Sequence, residues 1–155
     1  MLQRIQSVWL FLSTLSLLAL FIFPYIQILN SDGAGRSVMI TGIHENVNGQ
    51  GVQTQSYTAL TIAAVIIALV PLVTIFLYSN RKRQIAMCYL GIVLILGFSF
   101  WMLQVAKNAA QGITLGFQNY GLGIILPSLG IFFIILALRG IRRDEKLIKS
   151  VDRLR

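Results

Sequence analysis

Few residues in this 155-residue chain have side chains suited to acid–base, nucleophilic or metal chemistry. The one histidine is His44, with Glu45 directly after it, and the one cysteine is Cys88. A zinc site takes about four ligands, so this His–Glu pair does not form one. With His44 as the sole candidate base, no Ser-His-Asp triad is available. We therefore predict a non-enzymatic protein with no catalytic residue, no metal site and no cofactor.

Two further sequence features give only weak indications of nucleotide binding or transport. The stretch Gly121-Leu-Gly-Ile-Ile-Leu-Pro has no strand before it, so it is not a dinucleotide fingerprint. Polar residues within the apolar segments are uncharged, and ion or proton relays normally need an ionisable group there. Coupled transport is therefore disfavoured, whereas a passive pocket for an apolar ligand stays open. These polar residues are Ser13, Thr14, Ser16, Gln27, Thr61, Thr74, Ser99, Gln104 and Ser128.

Four apolar runs dominate the chain, each close to the roughly 20 residues that cross a bilayer. They cover residues 8–29, 58–78, 85–105 and 118–138, and none contains Asp, Glu, Lys, Arg or His. The chain is 56% hydrophobic and 12% charged, against about 25% charged in a soluble domain. The first run exceeds the roughly 7–15 apolar residues of a signal peptide, so we expect it to be a retained helix. The prediction is a single transmembrane domain of four helices.

Eleven of the thirteen basic residues lie in three clusters between or beyond these runs: Arg4, then Arg81 to Arg83, then seven residues in 139–155. Basic loops stay on the cytoplasmic side of a membrane. Both termini and the turn 79–84 are thus predicted inside, with loops 30–57 and 106–117 outside. The net charge is +8 inside and 0 outside, which favours anionic lipid headgroups over nucleic acid as the partner.

The first outer loop contains β-prone residues between two turn sequences, which predicts a small β-hairpin over the helix ends. Three prolines, Pro24, Pro71 and Pro127, lie in predicted spans. There we favour static kinks over hinges.

The tail, residues 139–155, carries an apolar stripe at helical spacing among charged residues, which predicts an amphipathic basic helix. Such a helix lies on headgroups or docks on a partner protein. The predicted contact residues are Arg143, Asp144, Glu145, Leu147, Ile148, Val151, Asp152, Arg153 and Arg155.

Both ends of the chain carry recognisable elements: Met1-Leu-Gln-Arg-Ile-Gln-Ser-Val, and Ile141-Arg-Arg-Asp-Glu-Lys-Leu-Ile-Lys-Ser-Val-Asp-Arg-Leu-Arg. Together they resemble an uncharacterised family of Bacteroidota inner-membrane proteins, the domain-of-unknown-function 4293 family. Arg143 and Val151 depart from the residues expected there, Lys and Ala. The resemblance implies a bacterial inner membrane and four helices, and it supplies no activity.

The sequence thus predicts an all-α, four-helix transmembrane bundle with both termini cytoplasmic and a small β-hairpin outside. The leading functional hypothesis is an accessory, scaffolding or assembly subunit of a larger inner-membrane complex. Its partners would be membrane lipids and other inner-membrane subunits, with no nucleic acid. The alternative is a small carrier of lipid or apolar ligand, opened by kinks at Pro71 and Pro127.

Overall fold

The computed structural model describes residues 2–29, 35–47, 50–110 and 116–152, with side chains for 5–28, 35–45, 52–110 and 116–146. This part of the chain forms four α-helices and one four-stranded antiparallel sheet between the first two helices. The helices are α1 Leu2–Leu18, α2 Thr58–Phe76, α3 Arg81–Ala109 and α4 Leu126–Asp152. The strands are β1 Ile26–Leu29, β2 Gly35–Met39, β3 Gly42–Val47 and β4 Gln50–Ser56.

The four helices pack in a ring, each on its two neighbours in chain order, with α1 also closing against α4. Close approach depends on small residues at the contacts. On α4, a Cβ at Gly130 would lie 3.4 Å from the side chain of Leu17 on α1. At the same point the Ser13 hydroxyl donates to the Gly130 carbonyl, at 3.0 Å. We call the end of the bundle that carries Arg81 and Arg142 the basic end, and the opposite end, where the sheet packs, the sheet end.

Three helical segments in the described residues are long and apolar enough to cross a membrane. They are Thr58–Ser79, Arg81–Ala109 and Leu122–Lys146, and a shorter apolar helix covers Ile5–Phe21. No more than 33% of each long apolar window is buried. Large apolar side chains consequently point outward, which is the expected surface of a protein whose surroundings are lipid. Among them are Ile62, Phe76, Val93, Phe100 and Phe132, each more than half exposed.

The first helix ends well before the end of the predicted span 8–29. After α1, a 3₁₀ turn covers Ala19–Phe21, and Ile26–Leu29 is a strand. Pro24 explains the break, because proline has no N–H for a helix and its preceding residue is disfavoured in helical conformation. Tyr25 then joins the sheet, donating its N–H to the Val38 carbonyl at 3.1 Å.

The β element in the first loop is confirmed, and it is larger than the predicted hairpin. Its strands lie in the order β1-β2-β3-β4, each antiparallel to the next. Gly42 begins β3 at φ +153°, where a Cβ would meet the Gln55 carbonyl oxygen at 2.0 Å. The inner face is apolar and buried against the helix ends. An isolated two-stranded hairpin would be only marginally stable, and this packing stabilises the sheet. Its buried residues are Ile26, Ile28, Val38, Ile40 and Ile43.

Two of the three prolines have positions different from those expected. Pro71 lies in the interior of α2, as predicted. Pro24 precedes β1, and Pro127 is the second residue of α4. In the first turn of a helix the N–H groups have no intrahelical partner, so Pro127 removes no hydrogen bond and produces no kink there.

A short segment before α4 docks on the chain that links α1 to β1. Gly121 donates its N–H to the Tyr25 carbonyl and Gly123 donates to the Pro24 carbonyl, both at 3.1 Å. A Cβ at Gly123 would lie 2.7 Å from the Phe23 carbonyl oxygen and 2.9 Å from the Tyr25 nitrogen. Both contacts are with backbone, so a side chain at this position requires the two segments to separate.

We expect Gly123→Ala to lower the free energy of unfolding by about 1–3 kcal/mol, the usual cost of overpacking. Gly97→Ala is the matched control, because a Cβ there meets nothing within 4 Å on α3. That control should raise stability by up to about 1 kcal/mol, since alanine is the better helix former. Denaturant unfolding in detergent measures both, and equal effects of the two variants would contradict the close docking.

Candidate functional site

A buried polar cluster lies at the basic end of the bundle and consists of Gln6, Arg81 and Asp144. The Gln6 side-chain amide donates to a carboxylate oxygen of Asp144 at 2.7 Å. Both residues are buried, at 5% and 8% exposure. An Arg81 guanidinium nitrogen lies 3.8 Å from the same oxygen. This basic-end cluster therefore joins α1, α3 and α4 at one carboxylate.

The approach of α1 to α4 at this cluster depends on Gly140, one turn before Asp144. A Cβ at Gly140 would lie 2.9 Å from Cγ of Gln6. Any larger residue would push the Gln6 side chain away from its acceptor.

The turn between α2 and α3 is held by polar contacts of its own. The Asn80 side chain caps α3 by accepting from the Arg83 N–H, at 3.3 Å. Gln84, buried in the first turn of α3, donates from its side-chain amide to the Thr74 carbonyl at 3.3 Å. These contacts hold the turn from which Arg81 reaches Asp144 on α4.

Arg142 on α4 contacts Tyr89 on α3 in two ways. Its guanidinium carbon lies 5.3 Å from the centre of the Tyr89 ring, within the range of a cation–π contact. It also donates a hydrogen bond to the Tyr89 hydroxyl. The neighbouring exposed residues Arg139, Arg143 and Lys146, with Glu145, border an open hollow on this end of the bundle.

The predicted tail contact residues divide into three groups. Arg143 is exposed and Glu145 is partly buried, whereas Asp144 is an internal residue that holds Gln6 and does not belong to an exposed surface. The backbone of Leu147, Ile148, Val151 and Asp152 continues α4, as predicted, but their side chains lie outside the described ones. Arg153 and Arg155 lie outside the described residues.

Most polar residues predicted within the spans donate to backbone carbonyls. Thr14, Thr74 and Ser99 bond the carbonyl four residues earlier in their own helices. Ser16 instead reaches the Leu126 carbonyl on α4, at 2.8 Å. Gln27 lies in β1, outside the helices. Of these four hydroxyls, the Ser16 hydroxyl joins two helices, and the other three satisfy their own hydrogen-bonding groups within one helix.

His44 and Glu45 lie on β3, where each has a partner in the sheet. A ring nitrogen of His44 is 3.3 Å from the Thr41 hydroxyl. Glu45 pairs with Arg36 across β2 and β3, with the Arg36 Nε at 2.7 Å from its carboxylate. Among the residues that the structure describes, no three His, Cys, Asp or Glu side chains are grouped to hold a metal ion.

A second candidate site, the sheet-end cavity, lies between the ends of α3 and α4 beneath β1, with a volume of about 210 Å³. Its walls are mostly apolar. They include Tyr25, Ser99, Met102, Ala106, Pro127 and Ser128. Tyr25 is 1% exposed. Within the described side chains, its hydroxyl is the buried polar atom for which no hydrogen-bond partner is found.

Sequence reasoning missed both Gln6 and the cavity. Gln6 resembled an ordinary polar residue of a basic N-terminus, and its partner is 138 positions away. A glycine one turn before an acidic residue, as in Gly140 and Asp144, is the available signal for a close helix contact at that level.

Replacing Asp144 tests the basic-end cluster. We expect Asp144→Leu to cost about 1–3 kcal/mol of unfolding free energy, because the buried Gln6 amide loses its acceptor. Asp144→Asn retains an acceptor oxygen and should cost under about 1 kcal/mol. Arg143→Ala, at the exposed neighbouring position, should stay within about 0.5 kcal/mol of the wild type. If Asn proves as damaging as Leu in denaturant unfolding, the carboxylate charge and not the hydrogen bond holds the cluster.

The comparison with known families covers nearly the whole chain. Residues 2–154 match the model of a domain of unknown function, DUF4293. Among curated proteins, none matches this sequence. The match includes α1 and α4, which carry the two termini that suggested the resemblance, and the resemblance is confirmed. The chain therefore belongs to the DUF4293 family of proteins with a domain of unknown function.

Proposed function

We propose that this protein is a non-enzymatic integral inner-membrane protein and an accessory, scaffolding or assembly subunit of a larger membrane complex. The basic end, with the C-terminal part of α4, is its contact surface. The observation that carries the proposal is the continuity of α4, which runs as one helix of 27 residues from the apolar bundle into the charged tail.

As far as Asp152, the tail continues α4 without a break. Asp144 lies inside the tail sequence, and its bond to Gln6 fixes the direction in which the helix leaves the bundle. From Leu138 to Asp152 the helix extends about 21 Å, at roughly 1.5 Å per residue. An orientation signal needs only positive charge, whereas a fixed, extended helix suits binding to a defined protein surface.

Charge distribution supports a cytoplasmic location for both termini. Arg81, Arg142 and Arg143 lie at one end of the bundle, while Lys107 is near the sheet end. In the sheet, the positive charge of Arg36 is paired with Glu45. The excess of basic over acidic residues therefore lies at one end, as the positive-inside rule requires of a cytoplasmic face.

The second candidate, a lipid or apolar-ligand carrier, has the sheet-end cavity in its favour. Carrying also requires the ligand to leave, and Pro127 provides no kink to open the cavity. A bound and retained ligand fits this geometry better than a transported one.

The scaffolding proposal is tested by purification in mild detergent, with the full chain compared with a variant that ends at Lys146. This truncation keeps Asp144 and therefore the basic-end cluster. We expect partner subunits to co-purify with the full chain and to be lost from the truncated one. Lys107→Glu, a change of charge at an exposed position of the sheet end, should retain them.

A full chain that elutes alone at monomer size, with the same set of proteins as the truncation, would refute the scaffolding role. Size-exclusion profiles of the three detergent-solubilised proteins check that the bundle remains folded.

A further inference from the structure

The sheet-end cavity lies at a defined height along the bundle. Met102 and Ala106, which line it, are in the last two turns of α3. From Arg81 to Met102 the helix rises about 32 Å, at roughly 1.5 Å per residue. The hydrocarbon core of a bilayer is about 30 Å thick. With Arg81 at one interface, the cavity therefore lies at the other, where the ester groups of phospholipids are found.

Two neighbouring side chains support the position of the cavity at a membrane interface. Trp101 is 42% exposed beside the cavity, and tryptophan prefers the interface between hydrocarbon and water. Lys107 follows Ala106 directly and is exposed just beyond the cavity. An exposed lysine at this level is placed to meet a lipid phosphate.

The cavity opens sideways, between α3 and α4. Leu103 and Ser128, on the two helices, line it and are themselves exposed on the outside of the bundle. A molecule within the surrounding lipid can thus enter without crossing the sheet.

Tyr25 distinguishes this cavity from a simple packing gap. Its side chain is buried, and its hydroxyl has no hydrogen-bond partner within the described part of the chain. An unpaired buried hydroxyl is costly, and native structures usually supply a partner. Burial raises the pKa of Tyr25, so the hydroxyl keeps its proton and acts as a neutral donor. A bound molecule with an acceptor oxygen can supply the partner that this hydroxyl lacks.

We propose that the sheet-end cavity binds one glycerophospholipid, with an acyl chain between α3 and α4 and an ester carbonyl that accepts a hydrogen bond from the Tyr25 hydroxyl. The apolar walls take the chain and Lys107 faces the phosphate. A neutral ester suits the neutral phenol, whereas a fatty-acid carboxylate in the cavity would need a buried positive charge beside it. This inference is independent of the proposed scaffolding role, which concerns the opposite end of the bundle.

Native mass spectrometry of the full chain tests the proposal. The protein is stripped of lipid in detergent and titrated with dioleoyl phosphatidylethanolamine and dioleoyl phosphatidylglycerol. We expect one phospholipid to remain bound per chain. Tyr25→Phe should weaken binding about fivefold, the effect of losing one net hydrogen bond of roughly 1 kcal/mol. Tyr78→Phe, an exposed tyrosine at the basic end, is the control and should bind like the wild type.

Two further variants keep the test decisive. Ala106→Phe fills the cavity and should abolish binding, while Ser128→Trp blocks its mouth from an exposed position that does not disturb the core.

Tyr25→Phe should unfold at no lower temperature than wild type without lipid, and its unfolding temperature should rise less on addition of lipid. Equal binding by wild type and Tyr25→Phe would overturn the proposal, as would no retained lipid. Selective retention of a fatty acid or a quinone would overturn it as well.

Discussion

The bundle has an apolar exterior, and this constraint determines where every other kind of chemistry lies. Charged residues of the long helical segments lie towards the segment ends, at 81–83 and 107 in α3 and from 139 onward in α4. Hydroxyls within the helices bond to backbone carbonyls. In hydrocarbon an unpaired polar group costs several kcal/mol, so such residues are tolerated only where a partner is built in. The specific contacts that we propose with other molecules accordingly lie at the two ends of the bundle.

At both ends of the bundle, two segments distant in sequence are held together, but the contacts that hold them differ. At the basic end, α1 and α4 are joined by a side-chain hydrogen bond between Gln6 and Asp144, with Gly140 allowing the approach. At the sheet end the contact is made by backbone, where Gly121 and Gly123 lie against residues 23–25. The first arrangement leaves a charged helix extending outward, and the second leaves a cavity. The two proposed functions, protein contact and lipid binding, follow from that difference.

Hydropathy was sufficient to predict four helices and their order, because each apolar run is bounded by polar residues. It failed at the end of α1, since Ile26-Gln-Ile-Leu is as apolar in a strand as in a helix. Pro24 was the residue that indicated where the helix ends, because its helix-breaking effect outweighs the continuous apolar run. The β-prone loop was recognised, but β1 was not, because it came from residues assigned to the span.

The candidate sites were less accessible to sequence reasoning than the fold. Asp144 has the pattern of an exposed tail residue, and only the spatial proximity of Gln6, 138 residues away, makes it internal. The Tyr25 hydroxyl becomes notable only when its surroundings are known. Long-range pairing of this kind leaves no periodic signal within one sequence. By contrast, the helical spacing of the tail was local, and it correctly predicted that α4 continues through Ile148 and Val151.

We expect the bundle to span the membrane with its basic end in the cytoplasm, and cysteine labelling in intact cells measures this orientation. In a Cys88→Ala background, Thr54→Cys on β4 and Lys82→Cys in the basic turn introduce single exposed thiols at opposite ends. An impermeant maleimide should label position 54 in intact cells and position 82 only after the membrane is opened. Labelling of position 82 in intact cells, with position 54 protected, would contradict the account.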